Sequence, residues 1–248
     1  MTLEQFFAEN REVAVAFSGG VDSAYLLYAA TRYAARVKAY YVSTAFQPSF
    51  ELADARRLAD ELGADMQVLH VDVLMSGAVV ANPPDRCYHC KNTLFRQILR
   101  AAENDGFPLL LDGTNASDDA GDRLGMRALR ELSVRSPLRE CGLTKAEIRR
   151  LSREAGLFTW DKPAYACLAT RIRTGEEITL QKLKQTEKAE GFLFGLGFRD
   201  FRVRMVGNTA KLELREADLP LLLENREKIV TELRKDYDSV LLNLEVRK

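Results

Sequence analysis

Apolar residues fall into short runs at 13–17, 37–43, 66–71 and 109–112, separated by longer stretches with helical spacing, including an apolar-periodic segment at 24–30. Strand and helix alternating from residue 12 to about 160 is the pattern of a parallel sheet with crossover helices, an α/β doubly wound fold. Thr144 and Glu147 form a capping box that opens a helix running to about 155, and Gly156 ends it. Beyond Gly175 the rhythm changes to helix 179–196, strand 201–206, a turn at Gly207-Asn208, strand 210–214, helix 217–234 and strand 240–246. Gly207 and Asn208 both tolerate positive φ, which suits a hairpin. The pattern predicts two domains: 1–175, a doubly wound parallel sheet, and 176–248, a smaller C-terminal α+β domain of α-β-β-α-β order.

Composition narrows the class. A 248-residue chain that is 46% hydrophobic can build real cores, and its 36 basic and 36 acidic residues leave no global field that would favour nucleic acid. No run approaches the roughly 18 apolar residues of a membrane span, and residues 1–10 hold two acids and no apolar core. Four cysteines are too few for a disulfide framework. These features predict a cytoplasmic protein that partners no nucleic acid and no membrane.

The densest chemistry follows the first apolar run, at Ser18-Gly19-Gly20-Val21-Asp22-Ser23. Glycines let backbone approach an anion closely, and hydroxyls and amides at a helix N-terminus donate to phosphate oxygens. Asp22 would repel a phosphate, so Mg²⁺ is the natural mediator. The lysine of a Walker-type loop is missing. This loop resembles that of the PP-loop ATP pyrophosphatases, which cleave ATP between the α- and β-phosphates. Ligands on open α/β sheets bind beyond the carboxyl ends of the strands, so this loop and Asp112-Gly113-Thr114-Asn115 are expected to face one crevice. Asp112, Gly113 and Asn115 are candidate nucleotide residues; a helix cap and turn is the plainer reading of the same residue types.

Cys87-Tyr88-His89-Cys90 follows Asn82-Pro83-Pro84-Asp85, just before a helix expected to begin near Lys91. A C-x-x-C pair at a helix N-terminus suits metal, cluster or redox chemistry. Cys167 is a third thiol. A zinc site would need a fourth ligand from His89, His70 or Cys141, whereas an iron–sulfur cluster held by three thiolates leaves one iron open. Cys141 reads as a structural thiol. His70 and His89 read as ordinary satisfied histidines. Arg202 and Arg204 flank Val203 and share one strand face, either solvated or anion-binding.

SGGVDS, PPDRCYHCK, DGTNASD, SPLRECGLTKAEIRRLSREAGL and WDKPAYACLATRI follow one another as in the LarE family, which the chain resembles over nearly its whole length. These are PP-loop sulfurtransferases that make the pincer cofactor of nickel-dependent lactate racemase. The resemblance implies ATP-dependent adenylation of pyridinium-3,5-biscarboxylic acid mononucleotide, pyrophosphate release, and displacement of AMP by sulfur. It implies that Ser18, Gly19, Gly20, Asp22 and Ser23 cradle pyrophosphate with Lys91 as a phosphate partner, and that Asp22 binds Mg²⁺. Arg171, Glu190, Arg202 and Arg204 would bind substrate. The sulfur would come from a sulfide on a [4Fe-4S] cluster held by Cys87, Cys90 and Cys167, or from Cys167 itself, sacrificed to dehydroalanine. A sulfide source and a homo-oligomer, a hexamer, are implied as well. The first domain is then the ATP pyrophosphatase and the second the substrate and oligomerisation domain. Competing readings are another PP-loop enzyme, such as an NAD or GMP synthetase or a tRNA thiolation enzyme, and a non-catalytic redox sensor.

Overall fold

The computed structural model describes residues 1–118, 124–163 and 165–245. In chain order the elements are α1 (Leu3–Glu9), β1 (Glu12–Ala16), α2 (Val21–Tyr33), β2 (Arg36–Ser43), α3 (Ser49–Leu62), β3 (Met66–His70), α4 (Gly77–Val80), α5 (Arg86–Asn104), β4 (Leu110–Leu111), α6 (Leu124–Glu131), α7 (Pro137–Glu140) and α8 (Lys145–Glu154). They are followed by α9 (Leu180–Gly195), β5 (Arg202–Val206), β6 (Thr209–Glu213), α10 (Leu219–Leu233) and β7 (Ser239–Leu242). Two compact units divide them: Met1–Thr44, Ser49–Val73 and Asp85–Ala164 form one, and Ala45–Pro48, Leu74–Pro84 and Tyr165–Lys248 the other.

In the first unit four parallel strands stand in the order β3-β2-β1-β4. Alternation sends Val13, Val15, Ala39 and Tyr41 to one face, where they pack with α1, α2 and α8, and Ala14, Tyr40 and Val42 to the other, with Ile98 and Ala102 of α5. The predicted doubly wound sheet is therefore present. Strand β1 lies between β2 and β4, so the chain turns to opposite sides of it, and the loops after β1 and β4 border one crevice. Among the described residues no helix is long and apolar enough to cross a membrane.

The second unit pairs β5 with β6 antiparallel and β6 with β7 parallel. Gly207 alone of the hairpin residues takes positive φ, at 57°, while the Asn208 carbonyl accepts from the Asp238 amide at 2.9 Å. The unit's C-terminal segment begins at Tyr165, whereas the change of rhythm suggested 176. Arg171 accounts for the difference: its guanidinium is buried against Glu190 of α9, and Ile172 bridges Met205 of β5.

Two elements differ from expectation in the first unit. Helix α5 begins at Arg86 rather than near Lys91: Asp85 is its N-cap residue, and the Asp85 backbone carbonyl accepts the Tyr88 amide at 2.9 Å. The strand expected at 109–112 keeps ladder form only at Leu110–Leu111, since the Asp112 amide turns to the Arg135 carbonyl at 2.9 Å. In the second unit β7 ends at Leu242, and residues 246–248 lie outside those described.

Candidate functional site

The loop after β1 is built by its glycines and serines. Gly19 sits at φ 73°, and a Cβ there would also meet Ala55 Cβ at 3.3 Å. The Ser18 amide donates to Ser23 Oγ at 3.2 Å, and Ser23 Oγ donates to the Gly20 carbonyl at 3.1 Å, folding the loop onto the first turn of α2. The first amides of that helix have no intrahelical acceptor and favour an anion at its start.

The loop after β4 closes against it. A Cβ on Gly113 would come within 2.9 Å of the Ser23 amide nitrogen and 3.1 Å of Ser23 Cα, so only glycine permits this approach. Asn115 Nδ2 donates to Asp22 Oδ1 at 3.4 Å, and Asn115 Oδ1 accepts the Ser117 amide at 2.8 Å. The Asp112 carboxylate is turned inward, accepting Thr114 Oγ1 and Ser136 Oγ at 2.5 Å each, and so holds the loop's shape. Ser18, Gly19, Gly20, Asp22, Ser23, Gly113 and Asn115 thus come together. Lys91 is partly buried on α5, and its side chain forms no hydrogen bond or ion pair among the described residues.

Sequence reasoning missed two lysines that touch this site. Lys145, first residue of α8, donates to Asp22 Oδ2 at 2.5 Å. Lys162 donates to Asp54 Oδ2 at 2.7 Å and to the Gly19 carbonyl at 3.5 Å. Beside it, burial holds the Glu51 carboxyl above the usual range, against the pull of Lys162. The capping box and the WDKPA segment contained both lysines, but no local spacing tied either to residues more than 100 positions away.

Cys87 and Cys90 lie in the first two turns of α5, three positions apart and so on one helix face. Arg86 Nη2 approaches Cys87 Sγ at 3.7 Å, and His89 Nε2 pairs with Asp85 at 3.2 Å. Cys141 caps the end of α7, packed against the core, and burial pushes its thiol up. Their soft sulfur suits an iron–sulfur cluster, but among the described residues no three His, Cys, Asp or Glu side chains gather as a metal-holding group.

In the second unit Arg171 and Glu190 are each 1% exposed and pair bidentately, Nε to Oε1 at 2.7 Å and Nη2 to Oε2 at 3.1 Å. Glu190 also accepts the Val203 amide at 2.9 Å and the Tyr165 hydroxyl. Burial, then the Glu190 charge, pushes the Tyr165 phenol far up. Burial alone would lower Arg171; the hydrogen bonds and charge of Glu190 outweigh it. The guanidinium groups of Arg171 and Arg202 lie 4.8 and 5.3 Å from the Tyr165 ring centre. Arg204 binds Glu213 at 2.7 Å and the Thr170 carbonyl at 2.6 Å. Cys167 is the N-cap of the short turn Leu168–Arg171, so it shares this neighbourhood. The sequence argument found the arginines and Glu190 but not Tyr165, which joins them.

A family model described as asparagine synthase matches residues 4–103. The chain is 38% identical, across 86% of its own length and 80% of the relative's, to the uncharacterized protein slr1717 of Synechocystis. It is 32% identical to the pyridinium-3,5-bisthiocarboxylic acid mononucleotide synthase of Lactiplantibacillus plantarum, across 94% of this chain and 85% of that one. The tRNA-specific 2-thiouridylase MnmA of Thermotoga petrophila is 26% identical, over 59% of this chain and 52% of that enzyme. With the phosphate loop, its partner loop and a near full-length match to a LarE protein, the chain belongs to the LarE family of PP-loop, ATP-dependent sulfurtransferases.

Proposed function

We propose that this protein converts the carboxylates of pyridinium-3,5-biscarboxylic acid mononucleotide into thiocarboxylates, using ATP to activate each one. The observation that carries the reading is the phosphate cradle after β1, with Asp22 held by Asn115 and Lys145. Similarity to the bisthiocarboxylic acid mononucleotide synthase supports the choice of substrate.

A carboxylate is a poor acyl donor until its oxygen becomes part of a good leaving group. A substrate carboxylate oxygen attacks the α-phosphorus, the bond to the bridging oxygen breaks, and pyrophosphate leaves into the glycine-rich loop. A sulfur nucleophile at the hydrosulfide level then adds to the acyl carbon. The carbon–oxygen bond to AMP breaks, giving thiocarboxylate, AMP and a proton. Asp22 and the Ser18 and Ser23 hydroxyls are hard oxygen donors of the kind Mg²⁺ takes, and the ion when bound would neutralise phosphate charge. Arg202 and Arg204 would offer planar donors to the substrate's carboxylates and phosphate, and the buried Arg171–Glu190 pair would act by fixing the Tyr165 and β5 neighbourhood in which they sit.

For the sulfur, Cys87, Cys90 and Cys167 are the residues that would hold a [4Fe-4S] cluster, which when bound supplies sulfide for transfer. In this reading Cys87→Ala and Cys90→Ala lose iron and labile sulfide after anaerobic purification while MgATP affinity is unchanged; full iron content in either variant would reject it. A second reading makes Cys167 the donor of its own sulfur, favoured by its place at the head of the turn that carries Arg171. Intact mass after turnover separates the two, since a consumed cysteine becomes dehydroalanine.

The equal charge balance and the near full-length similarity to the bisthiocarboxylic acid mononucleotide synthase support a small nucleotide as partner. A sulfide donor, a cytoplasmic setting that keeps thiols reduced, and a homo-oligomer, a hexamer, complete the reading. The test is mass spectrometry of substrate incubated anaerobically with enzyme, MgATP and sulfide. Oxygen replaced by sulfur is expected; unchanged substrate with a preparation that binds both nucleotides would overturn the assignment.

A further inference from the structure

From Ser18 to Ser23 the phosphate loop carries no cation, and its one charged group, Asp22, has the sign of the ligand. A Walker-type loop meets the β- and γ-phosphates with its own lysine. Here the nearby positive charge comes from Lys145 and Lys162, which belong to other elements.

Both are firmly aimed. The Thr144–Glu147 capping box sets the start of α8, the Lys145 amide donates to Ser117 Oγ at 2.9 Å, and the Ala116 amide donates to the Leu143 carbonyl at 2.8 Å, tying the helix start to the loop after β4. For Lys162, Arg149 Nη2 donates to its carbonyl at 2.9 Å, and its own amide donates to Thr159 at 3.1 Å. Its side chain is 14% exposed and its ammonium reaches the loop carbonyl at Gly19. Partly solvated pairs of this kind add little stability, so stability alone gives weak reason for aiming two lysines at a phosphate loop. The carboxylate that Lys145 occupies is also the one a divalent cation would take.

We propose that Lys145 and Lys162 are the phosphate-binding cations of this cleft, parked on Asp22 and Asp54 until MgATP arrives, and that departure of Lys145 frees Asp22 for the metal. This rests on the ATP reading above and deepens it. Ammonium and divalent cation compete for one carboxylate, so Lys145 opposes metal binding without nucleotide and favours nucleotide binding. Asp54 competes with phosphate for Lys162, so it weakens anion binding.

These opposed signs give the test. Calorimetric titrations with pyrophosphate and with MgATP, and relaxation titrations with Mn²⁺ alone, are made on the full-length protein and on Lys145→Met, Lys162→Met and Asp54→Asn. Each lysine variant is expected to bind pyrophosphate and MgATP at least tenfold more weakly. Lys145→Met is expected to bind free Mn²⁺ more tightly, and Asp54→Asn to bind pyrophosphate several-fold more tightly. The gains in affinity need a folded protein, so they answer the case in which a lysine variant is unstable. Lysine variants with unchanged pyrophosphate affinity and a lowered melting temperature would overturn the proposal and leave these as structural ion pairs, as would no gain in Asp54→Asn. If the wild-type protein binds neither MgATP nor pyrophosphate, the ATP reading itself falls, and this inference with it.

Discussion

Gly113 holds no side chain, yet it sets how near the loop after β4 comes to the phosphate loop. The atoms that a Cβ here would meet at 2.9 and 3.1 Å are backbone atoms of Ser23, which have no rotamer to yield. Gly113→Ala is expected to push the loops apart and weaken MgATP binding by about tenfold, ~1.4 kcal/mol, with unchanged far-ultraviolet circular dichroism. Equal affinity would show that the approach is incidental. Glu190 bears on stability in the same way. Glu190→Ala strands the buried Arg171 guanidinium and is expected to cost about 3–5 kcal/mol in urea unfolding, whereas a loss below ~1 kcal/mol would mean that water replaces the carboxylate. SGGVDS was legible because glycine, hydroxyl and carboxylate sit within six consecutive positions. Lys145 and Lys162 were not, because only the folded sheet brings them back to β1.

Helix signals with a local cause were legible. Thr144 and Glu147 cap α8 as their spacing requires, and Gly156, at φ 72°, follows its end. The start of α5 was missed because Arg86 to Lys91 shows no apolar period, although the Pro-Pro-Asp run before it is a start signal in its own right. That shift matters chemically, since it moves the two thiols from a loop onto one helical face. The same caps set a pH response. Thr144 holds the Glu147 carboxyl below the usual range, first through its hydroxyl and then through its amide, and hydrogen bonds from Lys38 and then Tyr40 do so for Asp105. A carboxylate depressed in the folded state adds stability above its unfolded pKa, and that share is lost as pH falls through the folded value. Melting temperature is expected to fall as pH drops below about 4.5, with a shallower fall in Glu147→Gln; identical slopes would remove the cap from this account.

For the molecule as a whole, alternating strand and helix patterns made the parallel sheet legible, since each crossover leaves its own periodicity. The makeup of the second unit was less legible. It takes in Ala45–Pro48 and Leu74–Pro84; the latter is tied by Asn82, at φ 52°, whose side chain donates to the Arg173 carbonyl at 2.8 Å and whose carbonyl accepts the Gly175 amide at 2.8 Å, and by the Val80 carbonyl, which accepts the Ile178 amide at 2.9 Å. No composition or period encodes such a contact between residues 91 positions apart. The proposed function rests, at this scale, on adenylation in the cleft after β1. Purified protein, MgATP and the pyridinium dicarboxylate nucleotide are predicted to yield pyrophosphate and AMP together, only when that nucleotide is present, and roughly 100-fold more slowly in Asp22→Asn. Pyrophosphate release indifferent to the dicarboxylate, or none at all with nucleotide bound, would contradict it.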